Sequence, residues 1–260
     1  MCSRIGIKIT VSWLMQIICK EDLKLIYVTG DTHGYVTRFM PGKPDYIHDM
    51  TWGDDILIVT GDFGYIMKCD FEEELHLDYL AKKPYIICFC SGNHDNVPRI
   101  NQYPEVEFCG APVHKIRENI YHLKNGEIYT IEGKKFFVMG GAASTDKARR
   151  ELYELEHGVK IWWEEEIPSS EELKIGWDNL KKNDFKVDII LSHTAPDFIV
   201  EELGYNPRFN EDYELTAFLT NVYHECKKDL KTHFFGHFHE DKELFGGVFR
   251  ALLNDVVKIE

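Results

Sequence analysis

Several features are missing from this chain, and each absence removes a class of protein. Its seven cysteines (Cys2, Cys19, Cys69, Cys88, Cys90, Cys109 and Cys226) contain no Cys-x-x-Cys pair and form an odd, scattered set. That argues against a disulfide scaffold and for a reducing, cytoplasmic compartment. No long Pro, Ser or Gly tract marks a linker and no period of 20 to 50 residues repeats, so neither a solenoid nor a propeller is expected. Basic residues are scarce: 30 Lys and Arg against 44 Asp and Glu leave a formal charge of -14. No basic stripe with interleaved aromatics is visible, and such a surface repels a polyanion, so long nucleic acid is not an expected partner. Acids that hold divalent cations would reverse that field locally for a phosphate substrate.

A long apolar run is missing as well. The stretch ITVSWLMQIIC near the N-terminus is diluted by Thr10, Ser12 and Gln16, is too short to span a bilayer, and runs into CKED rather than a small-residue cleavage site. Residues 1–22 therefore read as an extra strand or an N-terminal extension, and no membrane is expected. The remaining residues, 23–260, read as a single domain, large enough to bury a substantial core.

What is present becomes regular from Leu23. LKLIYVTGD, DDILIVTGD, PYIICFCSGNHD, KVDIILSH and LKTHFFGHFH are short apolar runs that end in Gly or a polar residue, the pattern of strands buried on both faces. Cys88 and Cys90 share one face of PYIICFC and read as small core residues. Between the first runs, CDFEEELHLDYLAKK (69–83) places Phe71, Leu75 and Tyr79 at helical spacing. Strand, helix, strand, helix, strand predicts a parallel α/β core. Residues 120–141, IYHLKNGEIYTIEGKKFFVMGG, alternate around Asn-Gly and Glu-Gly-Lys turns and predict antiparallel hairpins. PSSEE predicts a helix start capped by Ser169 or Ser170, a further helix is expected around Thr216 to Lys228, and FGGVFRALL reads as a final strand.

The five apolar runs end in metal-ligand residue types: Asp31 and His33, Asp62, Asn93 and His94, His193, then His237 and His239. In open α/β sheets sites form at the carboxyl ends of strands, so the fold would bring these blocks together. His237 and His239 taken alone either pack two imidazoles in a loop or offer two nitrogens to a metal. The whole set decides between these. Carboxylates, an amide oxygen and imidazoles without a thiolate suit divalent Mn, Fe or Zn, and the donors are too many for one tetrahedral ion. Two metal ions a few Å apart, with one bridging carboxylate, account for the number and would activate water for attack on phosphorus.

GDTHG (30–34), GDFGY (61–65), GNHD (92–95), SH (192–193) and GHFH (236–239) resemble, in order, the five blocks of the calcineurin-like metallophosphoesterase superfamily. The resemblance implies a four-layer αββα sandwich of two mixed sheets flanked by helices, and a metal-dependent hydrolase of phosphate esters. It implies that Asp31, His33 and His239 hold one metal, that Asn93, His193 and His237 hold the other, and that Asp62 bridges; manganese is favoured. By the same resemblance His94 protonates the leaving oxygen, with Asp95 orienting its ring and holding it charged. The blocks depart from the serine/threonine protein phosphatase branch, where the second resembles GDxxDRG and the third ends in Glu. GGAASTDKARR with the later WWEEEIP resembles a bacterial and phage subgroup.

In that segment Lys147 and Arg150 follow a Gly-Gly loop and are candidate cations for the substrate phosphate, or else a solvated helix start. Trp162 and Trp163 read as a pocket wall or as packing. His48, His76, His114, His122, His157, His224 and His233 have no spacing that demands a metal and read as surface or satisfied core histidines. The expected partner is a small phosphorylated substrate, monoester or diester. A nuclease acting on short nucleic acid and a non-catalytic protein-binding scaffold are the competing readings, and the presence of every ligand and of His94 weighs against a degenerate scaffold.

Overall fold

A computed structural model describes residues 24–43, 46–47, 55–68, 70–209 and 211–260. The expectation for residues 1–22 lies outside the described residues. Two sheets face one another. In the first, of seven strands, β1 (Ile26–Thr29), β2 (Ile56–Val59) and β3 (Ile86–Phe89) run parallel. β6 (Ile120–Leu123), β5 (Ala111–Arg117) and β4 (Glu105–Phe108) extend one side, and β13 (Val256–Ile259) closes the other. In the second, of six strands, β8 (Lys134–Met139), β9 (Ile189–Ser192) and β10 (Thr232–Phe235) are parallel. They are flanked by β7 (Ile128–Ile131) on one side and by β12 (Phe249–Ala251) and β11 (Lys242–Leu244) on the other.

The period of two along each strand divides the core into layers. Ile26, Val28, Ile56, Ile58, Cys88 and Cys90 face Phe136, Val138, Ile189, Leu191 and Phe234 between the sheets. Tyr27, Leu57, Val59, Ile87 and Phe89 point outward, toward Leu77 and Leu80 of helix α1 (Phe71–Leu80). On the far side Phe137, Met139 and Ile190 pack against α4 (Ser170–Lys182) and α6 (Tyr213–Cys226). The short α2 (Val97–Ile100) follows β3; α3 (Lys147–His157) lies between β8 and α4, and α5 (Asp197–Glu202) between β9 and α6. This is the expected αββα sandwich of two mixed sheets. The helix start at PSSEE is present as a capping box, with the Ser169 hydroxyl accepting from Glu172 N and the Glu172 carboxylate accepting from Ser169 N. Cys88 and Cys90 are fully buried, and that burial pushes both thiols up.

Two local expectations fail. The helix forms as expected, but of the stripe Phe71, Leu75, Tyr79 only Tyr79 packs on the core: Phe71 is 78% and Leu75 51% exposed, while Leu77 and Leu80 are buried. Only the C-terminal end of the helix docks, so its burial follows the last turn rather than the i, i+4 series. Asn125-Gly126 does not close a hairpin either. Of the expected turns only Glu132-Gly133 does so, between β7 and β8, whereas Asn125-Gly126 carries the chain from the first sheet to the second. There Asn125 Oδ1 accepts from Gly140 N, and a Cβ on Gly126 would sit 2.8 Å from Gly176 N of α4. The Asn-Gly pair is needed for close approach between elements, a requirement that looks the same in sequence as a tight turn.

Candidate metal centre

The carboxyl ends of β1, β2 and β3 in one sheet and of β9 and β10 in the other meet at one edge of the sandwich, and all five motif loops converge there. The loops are stitched together by backbone bonds: Thr32 N and His33 N donate to Asp62 O, Gly34 N to Phe63 O, and Gly236 N to His193 O. Such tight crossing demands unusual conformations. His33, Asp62, His237 and His239 all sit at positive φ (47°, 48°, 67° and 54°), a region that non-glycine residues enter at a cost of about 1–3 kcal/mol each and that clusters at functional sites. Glycines supply the remaining clearance. A Cβ on Gly236 would fall 2.0 Å from Asp31 Oδ1, and one on Gly92 would fall 2.2 Å from Asp62 Oδ1.

The side chains form two groups that share Asp62. In the first, His33 Nε2 and His239 Nε2 are 3.0 Å apart, and Asp31 Oδ2 lies 3.7 and 3.4 Å from them. Asp62 Oδ2 is 3.6 Å from the His33 ring. Ligand atoms of Asp31, His33, Asp62 and His239 all fall within 4.8 Å of one another. In the second group Asn93 Oδ1 is 3.1 Å from both His193 Nε2 and His237 Nδ1, and Asp62 Oδ1 is 3.2 Å from His193 Nε2. The two Asp62 oxygens thus turn to different groups.

The electrostatics show what this arrangement needs. Burial raises Asp31 to about 7, with the nearby Asp62 charge adding to the rise and His193 opposing it. Burial would raise Asp62 too, but the His193 imidazole, in charge and hydrogen bond, holds it below the usual carboxylate range. Burial lowers His33 to about 4 and His237 to about 3, so both present neutral rings at pH 7. Burial also opposes charge on His193, yet Asp62 keeps its proton on up to about 10. A divalent cation would supply that positive charge in place of the proton. His193 is oriented for such a role: its Nδ1 donates to Thr60 O at 2.8 Å, leaving Nε2 to face the group. Imidazoles, buried carboxylates and one amide oxygen, converging within contact of each other, fit divalent metal ions.

Around this centre the structure distributes the other candidates unevenly. His94 borders the cavity with Nε2 4.0 Å from Asp62 Oδ2. Burial lowers its pKa; Asp62 opposes that and Arg150 adds to it. Asp95 does not orient the His94 ring as expected. Its carboxylate accepts from the amides of Gly92 (2.9 Å), Phe63 (3.2 Å) and Gly64 (2.8 Å) and so ties the second loop to the third. Arg150 holds His94 instead. It is only 3% exposed, and its guanidinium donates to His94 Nε2 (2.5 Å) and Asn93 O (2.8 Å) and pairs with Asp146 Oδ1 (2.7 Å). Lys147 is not brought to the centre: its ammonium pairs with Glu211 at 3.1 Å, lies 4.3 Å from the Trp162 ring, and lines another cavity with Glu211 and Trp162.

Sequence reasoning passed over several contributors. Glu166 reads as part of a solvated acidic run, but it is buried and its carboxylate accepts from Ser144 N and Oγ, while Asp212 Oδ2 accepts from Ala143 N. These two acids shape the 141–146 loop that carries Thr145 and Asp146 into the cavity wall. The buried acid in WWEEEIP follows a Trp pair, which is the only hint the sequence offers. Of the histidines outside the motifs, His157 and His224 are exposed and His114, His122 and His233 are buried: His122 Nε2 meets Ser91 Oγ at 2.8 Å, the Nδ1 atoms of His114 and His122 meet at 3.0 Å, and His233 Nε2 meets Ser192 Oγ at 2.7 Å while its Nδ1 has no hydrogen-bond partner among the described residues. His48 lies outside the described residues.

Fold and site together define a class, and the sequence comparison agrees: residues 24–241 match the family of calcineurin-like phosphoesterases, and the chain belongs to that family. Among solved structures it is similar to phosphopantetheinyl hydrolase from Mycobacterium tuberculosis, with 14% identity over 88% of both chains and a TM-score of 0.46. It is also similar to a provisionally named 5'-nucleotidase from Staphylococcus aureus, with 12% identity over 88% of this chain and a TM-score of 0.41. The chain spans about half of that second protein, 48% of its length. No curated protein sequence matches the chain. Among the described residues no helix is long and apolar enough to cross a membrane.

Proposed function

We propose that this protein hydrolyses phosphate esters with two divalent metal ions, manganese favoured, held by the two groups that share Asp62. Asp31, His33 and His239 would hold one ion, Asn93, His193 and His237 the other, and Asp62 both. The observation that carries this reading is the division of the Asp62 oxygens, Oδ2 toward His33 and Oδ1 toward His193. When bound, such a pair makes water a nucleophile at neutral pH and neutralises phosphoryl oxygens. The chain's own side chains do the rest. Arg150, already forked toward the cavity, offers its Nη2 donor to a phosphoryl oxygen. That frees His94 Nε2 to take up a proton from solvent and pass it to the departing oxygen. Asp146 and the Asn93 carbonyl keep the guanidinium in place meanwhile.

The free, buried Cys88, Cys90 and Cys226 fit a reducing, cytoplasmic setting. The acidic surface favours a small phosphorylated substrate over long nucleic acid.

The test separates holding metal from turning over. Asp62→Asn should lose bound manganese, measured by elemental analysis after desalting, together with hydrolysis of p-nitrophenyl esters. His94→Asn should retain the metal and lose hydrolysis. Equal metal loss in both variants would refute the assigned roles.

A further inference from the structure

Two open cavities meet at the metal centre from different sides, and their walls differ. The first, about 380 Å³, is bordered by Asp62, Asn93, His94, His237 and His239 and continues along Arg150, Asp146 and Thr145 to Tyr205 and Phe238. The second, about 490 Å³, is bordered by His33, His94 and His239 and continues along Tyr35, Gly64, Met67 and Leu253. His94 and His239 line both. A third cavity, behind Arg149, Arg150 and Tyr153, borders His94 but none of the seven candidate ligands.

From this geometry we infer that the substrate is a phosphodiester whose two organic arms lie one in each cavity; the inference rests on the hydrolase reading above. A monoester has a single arm and carries up to two negative charges on its phosphoryl group. Past the shared histidines the second cavity is walled by uncharged groups, so it has no cation to reward a further anionic oxygen, whereas an apolar or ring-bearing arm would gain contact there. The first cavity suits a different arm. Its guanidinium and carboxylate at Arg150 and Asp146 offer hydrogen bonds, and beyond them the Tyr205 and Phe238 rings pair at 5.4 Å with a 46° tilt, offering a face to a planar group.

The second cavity is built by the same turns that carry the metal residues, as a substrate subsite would be. Arg38 Nη1 donates both to Asp31 O (3.0 Å) and to Leu253 O (2.7 Å), which fixes the Leu253 wall to the backbone of a candidate ligand. The Asp241 carboxylate accepts from the amides of Leu253, Asn254 and Asp255 and pins that wall from the other side. Gly64, at φ +75°, packs so closely that a Cβ would lie 2.5 Å from the His33 carbonyl carbon. The reaction balances as hydrolysis: one P–O ester bond breaks, the hydroxyl of water joins phosphorus, and a proton goes to the departing alcohol, leaving a monoester and an alcohol.

The experiment uses the manganese-loaded full chain and three esters: bis-p-nitrophenyl phosphate, methyl p-nitrophenyl phosphate and p-nitrophenyl phosphate. Both diesters should exceed the monoester in kcat/KM. Tyr35 and Tyr205 are exposed enough (64% and 53%) for alanine to leave the fold intact, which thermal melts would verify. Of Tyr35→Ala and Tyr205→Ala, the variant whose cavity holds the arm that stays on phosphorus should lower the ratio of bis-aryl to methyl aryl kcat/KM by about tenfold, and the other should lower kcat/KM for both diesters alike, as expected for one lost aromatic contact in each. Comparing that ratio between proteins cancels the intrinsic reactivity of the esters. Preference for the monoester, with His94→Asn inactive and metal retained, would overturn this inference and leave the hydrolase reading standing. An unchanged ratio in both tyrosine variants would overturn the two-arm assignment. Silence toward all three esters would overturn the hydrolase reading and this inference with it.

Discussion

Replacing Gly236 by alanine tests whether close approach, rather than backbone freedom, is what that position requires. Gly236 does not sit at positive φ, so alanine meets no left-handed penalty there. Its Cβ, however, would lie 2.0 Å from Asp31 Oδ1 and 2.9 Å from Thr60 O, where ordinary contact begins at 3.4 Å. The Asp31 carboxylate must therefore move by about 1.4 Å. It has little room to do so, being buried and accepting from His237 N with both oxygens at 3.2 and 3.1 Å. Overpacking of this kind costs about 1–3 kcal/mol, which for a chain of this size lowers Tm by several degrees. The same shift takes Asp31 away from His33 and His239. Manganese titration calorimetry should show affinity for the first site weakened by at least about tenfold, since ligand placement there is displaced by more than metal–ligand geometry tolerates. Gly158→Ala is the contrasting variant: it sits at φ +68° with nothing within 4 Å of a Cβ, so it should lose stability and keep metal affinity. A Gly236→Ala protein that melts and binds manganese like the wild type would refute the reasoning.

Three further outcomes are expected. Asp62→Asn and His94→Asn should separate metal retention from turnover as described above. Arg150→Ala strips the partner from buried Asn93 O and from Asp146 and frees the His94 ring, so it should cost about 1–3 kcal/mol in denaturant melts and depress kcat, whereas Lys147→Ala should leave kcat/KM unchanged because Lys147 faces another cavity. Burial lowers His233 to about 3, and His114 and His122 are lowered as well. An imidazole depressed in the fold is protonated first in the unfolded chain, so stability present above pH 6.5 falls as pH drops toward 3. At pH 5 His233 alone accounts for about 2 kcal/mol. Denaturant melts should find that His233→Asn loses about that much less between pH 7.5 and pH 5, and an identical pH dependence in the two proteins would contradict the assignment.

The sandwich and most of the site were legible along the chain for physical reasons. Strands buried on both faces must be continuously apolar, so β1, β2, β3, β9 and β10 announced themselves, and the polar residues at their ends could only lie where the loops gather. Residue chemistry did the rest, since donors without thiolates restrict the metals they suit. Local pattern misled where burial depended on a distant partner. Phe71 and Leu75 have helical spacing but no layer above them, and Asn125-Gly126 has the composition of a hairpin turn but spans two sheets.

The order of the blocks and the identity of their donor atoms were determined by the sequence alone, because they follow from residue type and from position along a strand. Which donor faces which group was decided only in three dimensions. Asp95 follows His94 in the chain, yet its carboxylate is claimed by three backbone amides, and the ring is held by Arg150 from a helix more than fifty residues away. Arg150 and Lys147 lie one helical turn apart and look equivalent in sequence. Arg150 is buried against Asn93 and His94, while Lys147 turns to Glu211 and Trp162. Residues one turn apart share a helix face, so the helix by itself does not separate them, and only the surfaces against which it docks determine which side chain reaches the site.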